Sequence, residues 1–293
     1  MAYSAVSGGE EAIEASIQLL DYYRSGTDKD IELESVTEKF GLLIDKVMSE
    51  AGLYAKSYAA LALKQCEGST EEAVFLLRAY RSTLKRSHYT APVNTDNMRI
   101  IRRISAAFKD IPGGQLLGAT YDYTHRLIHF ESENENSSEL SERFKQILAE
   151  QAPEKIKFYD RVSSLLKKEG LIDTYDEDNT PPCDVTEKLL EFPAARSARL
   201  QTMTRADTGF LSGLSVLRGF GQVHPTVGEL RSGYVELEIP YPYKKEETIS
   251  LGEILLTEAE TFYSASDEKQ LKLACGYGAV FGRNENKAIA MAV

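Results

Sequence analysis

The chain has 293 residues, of which 42% are hydrophobic, and a formal net charge of −11 at pH 7. These values fit a globular protein of one large domain or two ordinary ones, and they exclude an intrinsically disordered chain. The acidic excess also argues against binding nucleic acid or anionic membranes through overall charge.

The sequence carries no recognisable targeting or membrane signal. No segment approaches the roughly 18 consecutive apolar residues that cross a bilayer, and the opening "MAYSAVSGGEEAIEAS" lacks the basic-then-apolar order of a secretory signal. The cysteines at 66, 183 and 275 are far apart and form no CxxC pair, which predicts reduced thiols rather than disulfides or a cysteine-rich zinc site. We therefore expect a cytoplasmic protein.

Capping boxes punctuate the first ninety residues. Ser7, Ser35 and Ser69 are each followed three residues later by glutamate, and apolar residues with helical spacing come after each pair. Gly52 marks the end of the second helical stretch. We predict a helical N-terminal region over residues 1–92, in which the stripes of Leu, Ile and Tyr form the core.

Residues 93–293 are predicted to form a mixed α/β unit, so that the whole chain has an α+β fold. At residues 97–108, Ile100, Ile104 and Phe108 fit one helical face, although the same stretch can alternate as a strand; we favour a helix. Residues 131–191 carry a net charge of −8 and include "ESENENSSELSE" and "DTYDEDNTPP". We predict a flexible, solvated insertion there, with an amphipathic helix near "RVSSLLKKEG".

Beyond the insertion, helices alternate with strands. We predict a helix at "DTGFLSGLSVLRG", a strand at "SGYVELEI", another element at "LGEILLTEAETF", a short strand at "YGAVFG" and a helix at "NENKAIAMAV". The glycines around "YGAVFG" match no complete P-loop or dinucleotide-binding motif.

Two basic segments interrupt the acidic chain. Residues 99–130 and 193–235 each have a net charge of +3, and nine of their ten cations are arginine. Guanidinium groups suit bidentate contacts to phosphate or carboxylate, so the segments indicate polyanion recognition; interior ion pairs or subunit contacts are the alternative. The turn Pro112-Gly113-Gly114 would let backbone amides approach an anion. The candidate ligand-binding residues are Arg102, Arg103, Lys109, Gly113, Gly114, Arg126, Arg196, Arg199, Arg205, His224 and Arg231.

Histidines and catalytic motifs give weaker signals. The motifs GxSxG, HExxH and GxxxxGK[ST] do not occur. His125 and His129 are four residues apart and could fill two positions of a zinc site on a helix, but without a third ligand nearby we favour a structural or anion-facing role. His224 lies in a Gly-bounded turn, as a ligand-facing residue or as a hydrogen-bonded turn residue.

Six collinear segments resemble one known family. They are "SGGEEAIEAS", "ALALKQCEGSTEEAVFLLRAYRSTL", "RRISAAFKDIPGGQLLGATYDYTHRLIHF", "RSARLQTMTRADTGFL", "RGFGQVHPTVGELRSGYVELEI" and "GYGAVFG". Together they resemble PhnI, the family of I subunits of the bacterial carbon-phosphorus lyase core complex. The resemblance covers nearly the whole chain outside the acidic insertion.

The resemblance implies a role in phosphonate catabolism. With G, H and L subunits, such a chain would displace the purine base of ATP (supplied as MgATP) or GTP with an alkylphosphonate, giving ribose 1-alkylphosphonate 5-triphosphate. Alone, it would act like a nucleosidase and release the base. The J subunit, an iron-sulfur radical enzyme, would share a central interface with it, in a core holding two copies of each subunit.

The resemblance also implies zinc only at a His-x4-His element beyond the "KAIAMA" segment. This sequence ends at Val293, so we expect a shortened chain that holds no metal ligand of its own.

Breaking a glycosidic C–N bond builds oxocarbenium-like charge on the ribose, so a carboxylate near C1′ and a donor to the departing base would assist. The acids of the two basic segments are Asp110, Asp122, Asp207 and Glu229. We predict catalytic roles for Asp110, Asp122, His125 and Glu229.

Tyr121 and Tyr123 would stack on a base or, as we favour, simply pack. Two other functions stay open: a non-catalytic scaffold whose arginines make subunit contacts, and single-stranded nucleic-acid binding, which the acidic charge disfavours.

Overall fold

The chain divides between Lys85 and Arg86 into a helical unit and a unit built on an antiparallel sheet. The structure is a computed structural model that describes residues 8–26, 30–150, 160–172, 180–219, 225–244, 247–264 and 272–293. Within these ranges, no helix is both long and apolar enough to span a membrane.

The described part of the first unit, Met1–Lys85, is helical. Its elements are α1 Gly9–Ser25, α2 Leu33–Lys39, α3 Gly41–Ala51, α4 Lys56–Gln65 and α5 Thr70–Thr83. The cap predicted at Ser69 is confirmed, because its side chain accepts a hydrogen bond from the Glu72 backbone N–H. Gly52 ends α3 in the left-handed conformation that glycine adopts most readily, as its position predicts.

The other two capping boxes have different outcomes. Ser7 lies outside the described residues, and α1 begins after Gly8 without a side-chain cap. The prediction at Ser35 is wrong, because α2 begins earlier, at Leu33, and Ser35 lies within its first turn. The core of this unit is formed by α2 to α5, with Ile44, Val47 and Met48 on α3 among its fully buried residues.

Four antiparallel strands organise the second unit, Arg86–Val293. They are β1 Arg99–Ile104, β2 Thr226–Pro240, β3 Thr248–Ser264 and β4 Leu273–Phe281, in the order β1-β2-β3-β4. Five helices belong to this unit over the described residues: α6 Ser137–Glu150, α7 Val162–Lys168, α8 Arg196–Thr204, α9 Thr208–Gly219 and α10 Glu285–Ala292. The strand and helix predictions after residue 205 are confirmed, and the α+β class with them.

The helix favoured for residues 97–108 is wrong, because Arg99–Ile104 form the edge strand β1. Ile100 pairs with Gly233 of β2, and Arg103 pairs with Arg231. Three β-branched isoleucines in six residues suit an extended backbone, and pairing with β2 decides between the two patterns that the sequence allowed.

One face of the sheet packs against helices. Leu230, Ala259 and Val280 of the strands form a core with residues of α9 and α10. The glycines of β4 allow α10 to approach the strand closely, since a Cβ on Gly276 would lie 1.8 Å from the Ala292 carbonyl oxygen. The opposite face carries the charged residues described next.

Candidate functional site

The sheet face opposite α10 carries alternating arginines and glutamates. Since side chains two apart on a strand share a face, Glu229 and Arg231 of β2 point to the same side as Glu258 and Glu260 of β3. The register places Arg231 between Arg103 and Glu258, and Glu229 opposite Glu260. We call these five side chains the ionic layer; all are buried.

The Arg103–Glu229 pair is enclosed at the β1 side of the ionic layer. Nε of Arg103 lies 2.5 Å from a Glu229 carboxylate oxygen, and the two side chains are 0% and 2% exposed. The other guanidinium nitrogens donate to the carbonyl oxygens of Pro112 and Asp160, at 2.8 and 3.0 Å. The second Glu229 oxygen accepts from the Val162 backbone N–H at 2.9 Å, which ties the start of α7 to the sheet.

Glu258 is the acceptor for several donors at the centre of the layer. Arg231 donates to one of its oxygens through Nε, at 2.8 Å, and the hydroxyl of Tyr277 on β4 donates to the other, at 2.9 Å. Burial, together with the Glu258 charge, raises the pKa of Tyr277, so this phenol stays protonated at neutral pH. Arg161, which precedes α7, lies 3.2 Å from the same carboxylate.

Arg161 links the ionic layer to a neighbouring cavity. It donates to Asp96 at 2.6 Å and to Glu260 at 3.3 Å, and it also contacts the Thr95 hydroxyl. Burial would lower the pKa of Arg161, but the charges of Glu258 and Glu260 outweigh it and raise this pKa. The guanidinium is therefore fixed in place and charged at every accessible pH.

The cavity beside Arg161 has a volume of about 280 Å³. Its lining comprises Arg161, Ser163, Lys167, Ile172, Arg196, Glu260, Cys275 and Tyr277. Three cations thus face one carboxylate. We call this space the cationic cavity.

Two groups in the cationic cavity have shifted pKa values. Burial raises the pKa of Glu260, as do the charges of Glu229 and Glu258, while the hydroxyl of Ser163 and the charge of Arg161 act in the opposite direction. Burial and the Glu260 charge raise the pKa of the Cys275 thiol to about 11. Cys275 is therefore a neutral thiol at physiological pH, unsuited to act as a nucleophile.

The predicted ligand-binding arginines do not converge on one pocket. Arg103 and Arg231 belong to the ionic layer, whereas Arg102 points to the opposite face because neighbouring strand residues alternate. There it donates to Glu285 at 2.7 Å and to Asp122 at 2.6 Å. Of the predicted arginines, Arg196 lines the cationic cavity.

The remaining predicted residues lie apart from the cavity lining. Arg126 is exposed and lies 3.3 Å from Asp122, an acid predicted to be catalytic. Arg199 is exposed on α8, and Arg205, partly buried, follows the end of that helix. In the region after β1, the exposed predicted residues also include Lys109, Asp110, Gly113, Gly114 and His125. His224 lies outside the described residues.

The glycines of the Pro112-Gly113-Gly114 turn have positive φ angles of 88° and 80°, which side chains disfavour. The turn presents its Pro112 carbonyl to Arg103. The contact recorded there is thus with a cation, and binding of an anion by the glycine amides stays a prediction.

Sequence reasoning missed Arg161, Lys167, Glu258 and Glu260. The first two lie in the segment predicted as a solvated insertion, where Val162, Ser163 and Leu166 of α7 are in fact buried. The sequence does contain a pattern that could have indicated Glu258 and Glu260. Two acids two residues apart in the apolar stretch "ILLTEAETF" must share a strand face, and buried carboxylates need cationic partners.

Fold and ionic layer together place the chain among α+β proteins in which one sheet face holds charged groups away from water. A sequence model of the family described as bacterial phosphonate metabolism protein (PhnI) matches residues 2–293. The chain belongs to the PhnI family, which confirms the resemblance found in the sequence.

Individual relatives agree with the family match. The chain is 42% identical over 298 residues to alpha-D-ribose 1-methylphosphonate 5-triphosphate synthase subunit PhnI of Escherichia coli (strain K12), covering 99% of this chain and 81% of that protein. It is also 42% identical over 302 residues to the protein of the same name from Rhizobium meliloti (strain 1021), with 99% and 78% covered. A Stutzerimonas stutzeri protein named provisionally as C-P lyase subunit protein HtxH is 42% identical over 305 residues, with 100% and 81% covered.

Among the described residues, no group of three or more His, Cys, Asp or Glu side chains is arranged to hold a metal ion.

Proposed function

We propose that this chain is a subunit of a ribose 1-alkylphosphonate 5-triphosphate synthase. In this reaction an alkylphosphonate oxygen forms a bond to C1′ of ATP or GTP, and the bond from C1′ to the purine nitrogen breaks. The electron pair leaves with the base, which takes up one proton. Membership of the PhnI family and the names of two relatives support the reaction class.

The observation that carries the proposal is the cationic cavity. Both reactants are phosphorus oxyanions, and such ligands are held by several cationic groups arranged before binding. Arg161, Lys167 and Arg196 supply three cations around one small space, and Arg161 is held in position by its acidic partners. The carboxylate of Glu258, which contacts Arg161 and Tyr277 of the cavity lining, could stabilise positive charge developing on the ribose.

We propose that the partners are the G, H, J and L subunits of the carbon-phosphorus lyase core, with two copies of each subunit. The printed names of the relatives describe subunits, which supports an assembly. The buried arginines Arg102, Arg103 and Arg231 are paired with carboxylates of this chain, so they are poorly placed to serve as the subunit contacts of a scaffold.

Reconstitution with the G, H and L subunits tests the proposal. ATP and methylphosphonate are incubated with the complex, adenine is measured by chromatography, and the sugar product is measured by phosphorus NMR. We expect adenine and a ribose 1-methylphosphonate product in equal amounts, and adenine with ribose 5-triphosphate when this chain acts alone.

A pair of neighbouring lysines supplies the matched control. Lys167→Ala removes a cation from the cavity lining, whereas Lys168→Ala removes an exposed lysine that lies 3.5 Å from Asp160 and is not part of that lining. We expect the first substitution to lower product formation at least tenfold and the second to leave it unchanged within about twofold. Equal rates for both variants would remove the cavity from the mechanism.

A further inference from the structure

The size of the cationic cavity limits what it can hold. Its volume of about 280 Å³ lies slightly below the range of roughly 300–1,000 Å³ for pockets that enclose drug-sized ligands. A complete nucleoside triphosphate is a ligand of at least that size. The space therefore suits a single small head group, such as phosphate or a short alkylphosphonate, with the remainder of any larger molecule outside.

The charge of the lining suits an anion. Lys167 and Arg196 are exposed, and neither forms an ion pair with an acidic side chain in the part of the chain that the structure describes. Arg161 adds a third, fixed cation. Glu260 is the one acid of the lining, and Asp96 and Glu258, which lie outside the lining, also contact Arg161.

Glu260 has one satisfied and one unsatisfied oxygen. Its Oε1 accepts from the Ser163 hydroxyl at 2.8 Å and from Arg161 at 3.3 Å. Its Oε2 is buried and has no hydrogen-bond partner among the described residues, in a residue that is 7% exposed. A buried ionised oxygen without a donor is costly, and protonation relieves that cost by making the oxygen an O–H donor.

We propose that the cationic cavity is the phosphonate subsite, in which a protonated Glu260 donates from Oε2 to one oxygen of a phosphonate or phosphate group while Arg161, Lys167 and Arg196 contact the others. The identification of the ligand as a phosphonate rests on the proposed function. The binding of a small phosphorus oxyanion rests on the cavity alone.

The groups around Glu260 leave it as the titrating residue of the subsite. The charged and titratable residues that face it are Glu229 of β2, Glu258 of β3, Cys275 and Tyr277 of β4, Arg161 and Lys167 at α7, and Arg196 of α8. Burial raises the pKa values of Tyr277 and Cys275 further above neutrality, so both stay protonated. Burial is the main cause that raises the pKa of Glu260 above its ordinary value of 4.5.

Proton uptake distinguishes this arrangement from a simple cationic patch. An anion bound against Glu260 favours its protonated form, so binding takes up protons and weakens as the pH rises, by up to tenfold per pH unit for one linked proton. Glu260→Gln keeps a neutral donor of similar shape but cannot titrate. Because the ligand also titrates, this variant supplies the reference in which only the ligand contributes.

Isothermal titration calorimetry of the full chain tests the subsite. Methylphosphonate and inorganic phosphate are titrated between pH 5.5 and 8.5 in two buffers of different ionisation enthalpy. We expect both ligands to bind, wild-type protein to take up more protons than Glu260→Gln, by up to one per ligand, and its affinity to fall more steeply with pH. Exposed Lys167→Ala should weaken binding at least tenfold, and Lys168→Ala should change it by less than twofold.

Four results would each overturn a part of this proposal. The absence of binding to the wild-type chain, or equal affinities for Lys167→Ala and Lys168→Ala, overturns the subsite. Equal proton uptake in wild type and Glu260→Gln overturns the role of Glu260. Competitive displacement of methylphosphonate by ATP overturns the phosphonate assignment, because the two reactants must bind together.

The calorimetric result and the reconstituted reaction are independent. Normal product formation at an unchanged KM for methylphosphonate, combined with no calorimetric binding, would refute the subsite and leave the proposed function intact. Binding to the cavity without product formation in the reconstituted complex would refute the proposed function and leave the oxyanion site intact.

Discussion

Two arginine–glutamate pairs have the same contact distance but differ in how deeply they are buried. In the Arg103–Glu229 and Arg99–Glu253 pairs, guanidinium nitrogen and carboxylate oxygen are 2.5 Å apart. The first pair is 0% and 2% exposed, and the second is 40% and 45% exposed. Both arginines lie on β1, so Glu229→Gln and Glu253→Gln form a matched comparison.

The expected magnitudes differ because water screens only the exposed pair. Removing one charge of a buried pair costs about 3–5 kcal/mol. An exposed pair contributes about 0–1 kcal/mol. Since a folded domain has a total stability of about 5–15 kcal/mol, Glu229→Gln should consume a large part of the stability of the sheet unit.

Urea unfolding, followed by hydrogen exchange of the strand amides in mass spectrometry, measures the difference. All strands of the described residues lie in the second unit, so protection of strand peptides reports on that unit. We expect the free energy of unfolding to fall by about 3–5 kcal/mol for Glu229→Gln and by at most about 1 kcal/mol for Glu253→Gln. A loss below about 1 kcal/mol for Glu229→Gln would refute a sealed ionic layer, because only solvent access could make that substitution so mild.

Three further outcomes follow from the geometry. Because burial raises the pKa of Glu260, the folded chain binds the Glu260 proton more tightly than the unfolded chain. The stability that this confers is lost as the pH rises from the ordinary pKa of 4.5 through the raised one. In urea titrations at several pH values, the free energy of unfolding of Glu260→Gln should therefore increase relative to that of the wild type over this interval. The rise in the pKa of Cys275 from 9.0 to about 11 lowers its thiolate fraction at pH 8 about hundredfold, so mass spectrometry should find carbamidomethylation by iodoacetamide correspondingly slower than for a small free thiol, and comparable rates would contradict its burial. Gly276→Ala would put a Cβ 1.8 Å from the Ala292 carbonyl oxygen and should lower stability by about 1–3 kcal/mol or more, whereas Gly213→Ala, in open space on helix α9, should raise it by up to about 1 kcal/mol; thermal melts that rank the two alike would argue against close packing of α10.

Local signals in the sequence predicted helices α5, α9 and α10 and strands β2 and β4 of this fold. The Ser69 cap, the Gly52 terminus and the strand around "YGAVFG" depend on short-range chemistry that the sequence states directly. The helix prediction for residues 97–108 was wrong because their apolar spacing fits both a helix and a strand. The contact that decides between them is the pairing with β2, whose residues come more than a hundred positions later.

The candidate site was less predictable because it depends on partners distant in sequence. The arginine composition identified two basic segments. Because residues 97–108 were predicted to form a helix, the alternation of a strand, which places Arg102 and Arg103 on opposite faces, was not expected. Arg161 and Glu260 come from different elements, 99 positions apart, and meet only in the folded chain. Composition led to the prediction of polyanion recognition, whereas the sheet register is needed to decide which arginines could face a ligand.

Uptake of the phosphonate by the cationic cavity is the central premise of the proposed mechanism. The direct measurement is the rate of adenine release by the reconstituted complex as a function of methylphosphonate concentration, compared between wild type and Arg196→Ala, which removes an exposed cation of the cavity lining. We predict that the KM for methylphosphonate rises at least tenfold while the KM for ATP changes by less than threefold. An unchanged KM for methylphosphonate in a fully assembled complex would show that the cationic cavity does not bind the phosphonate.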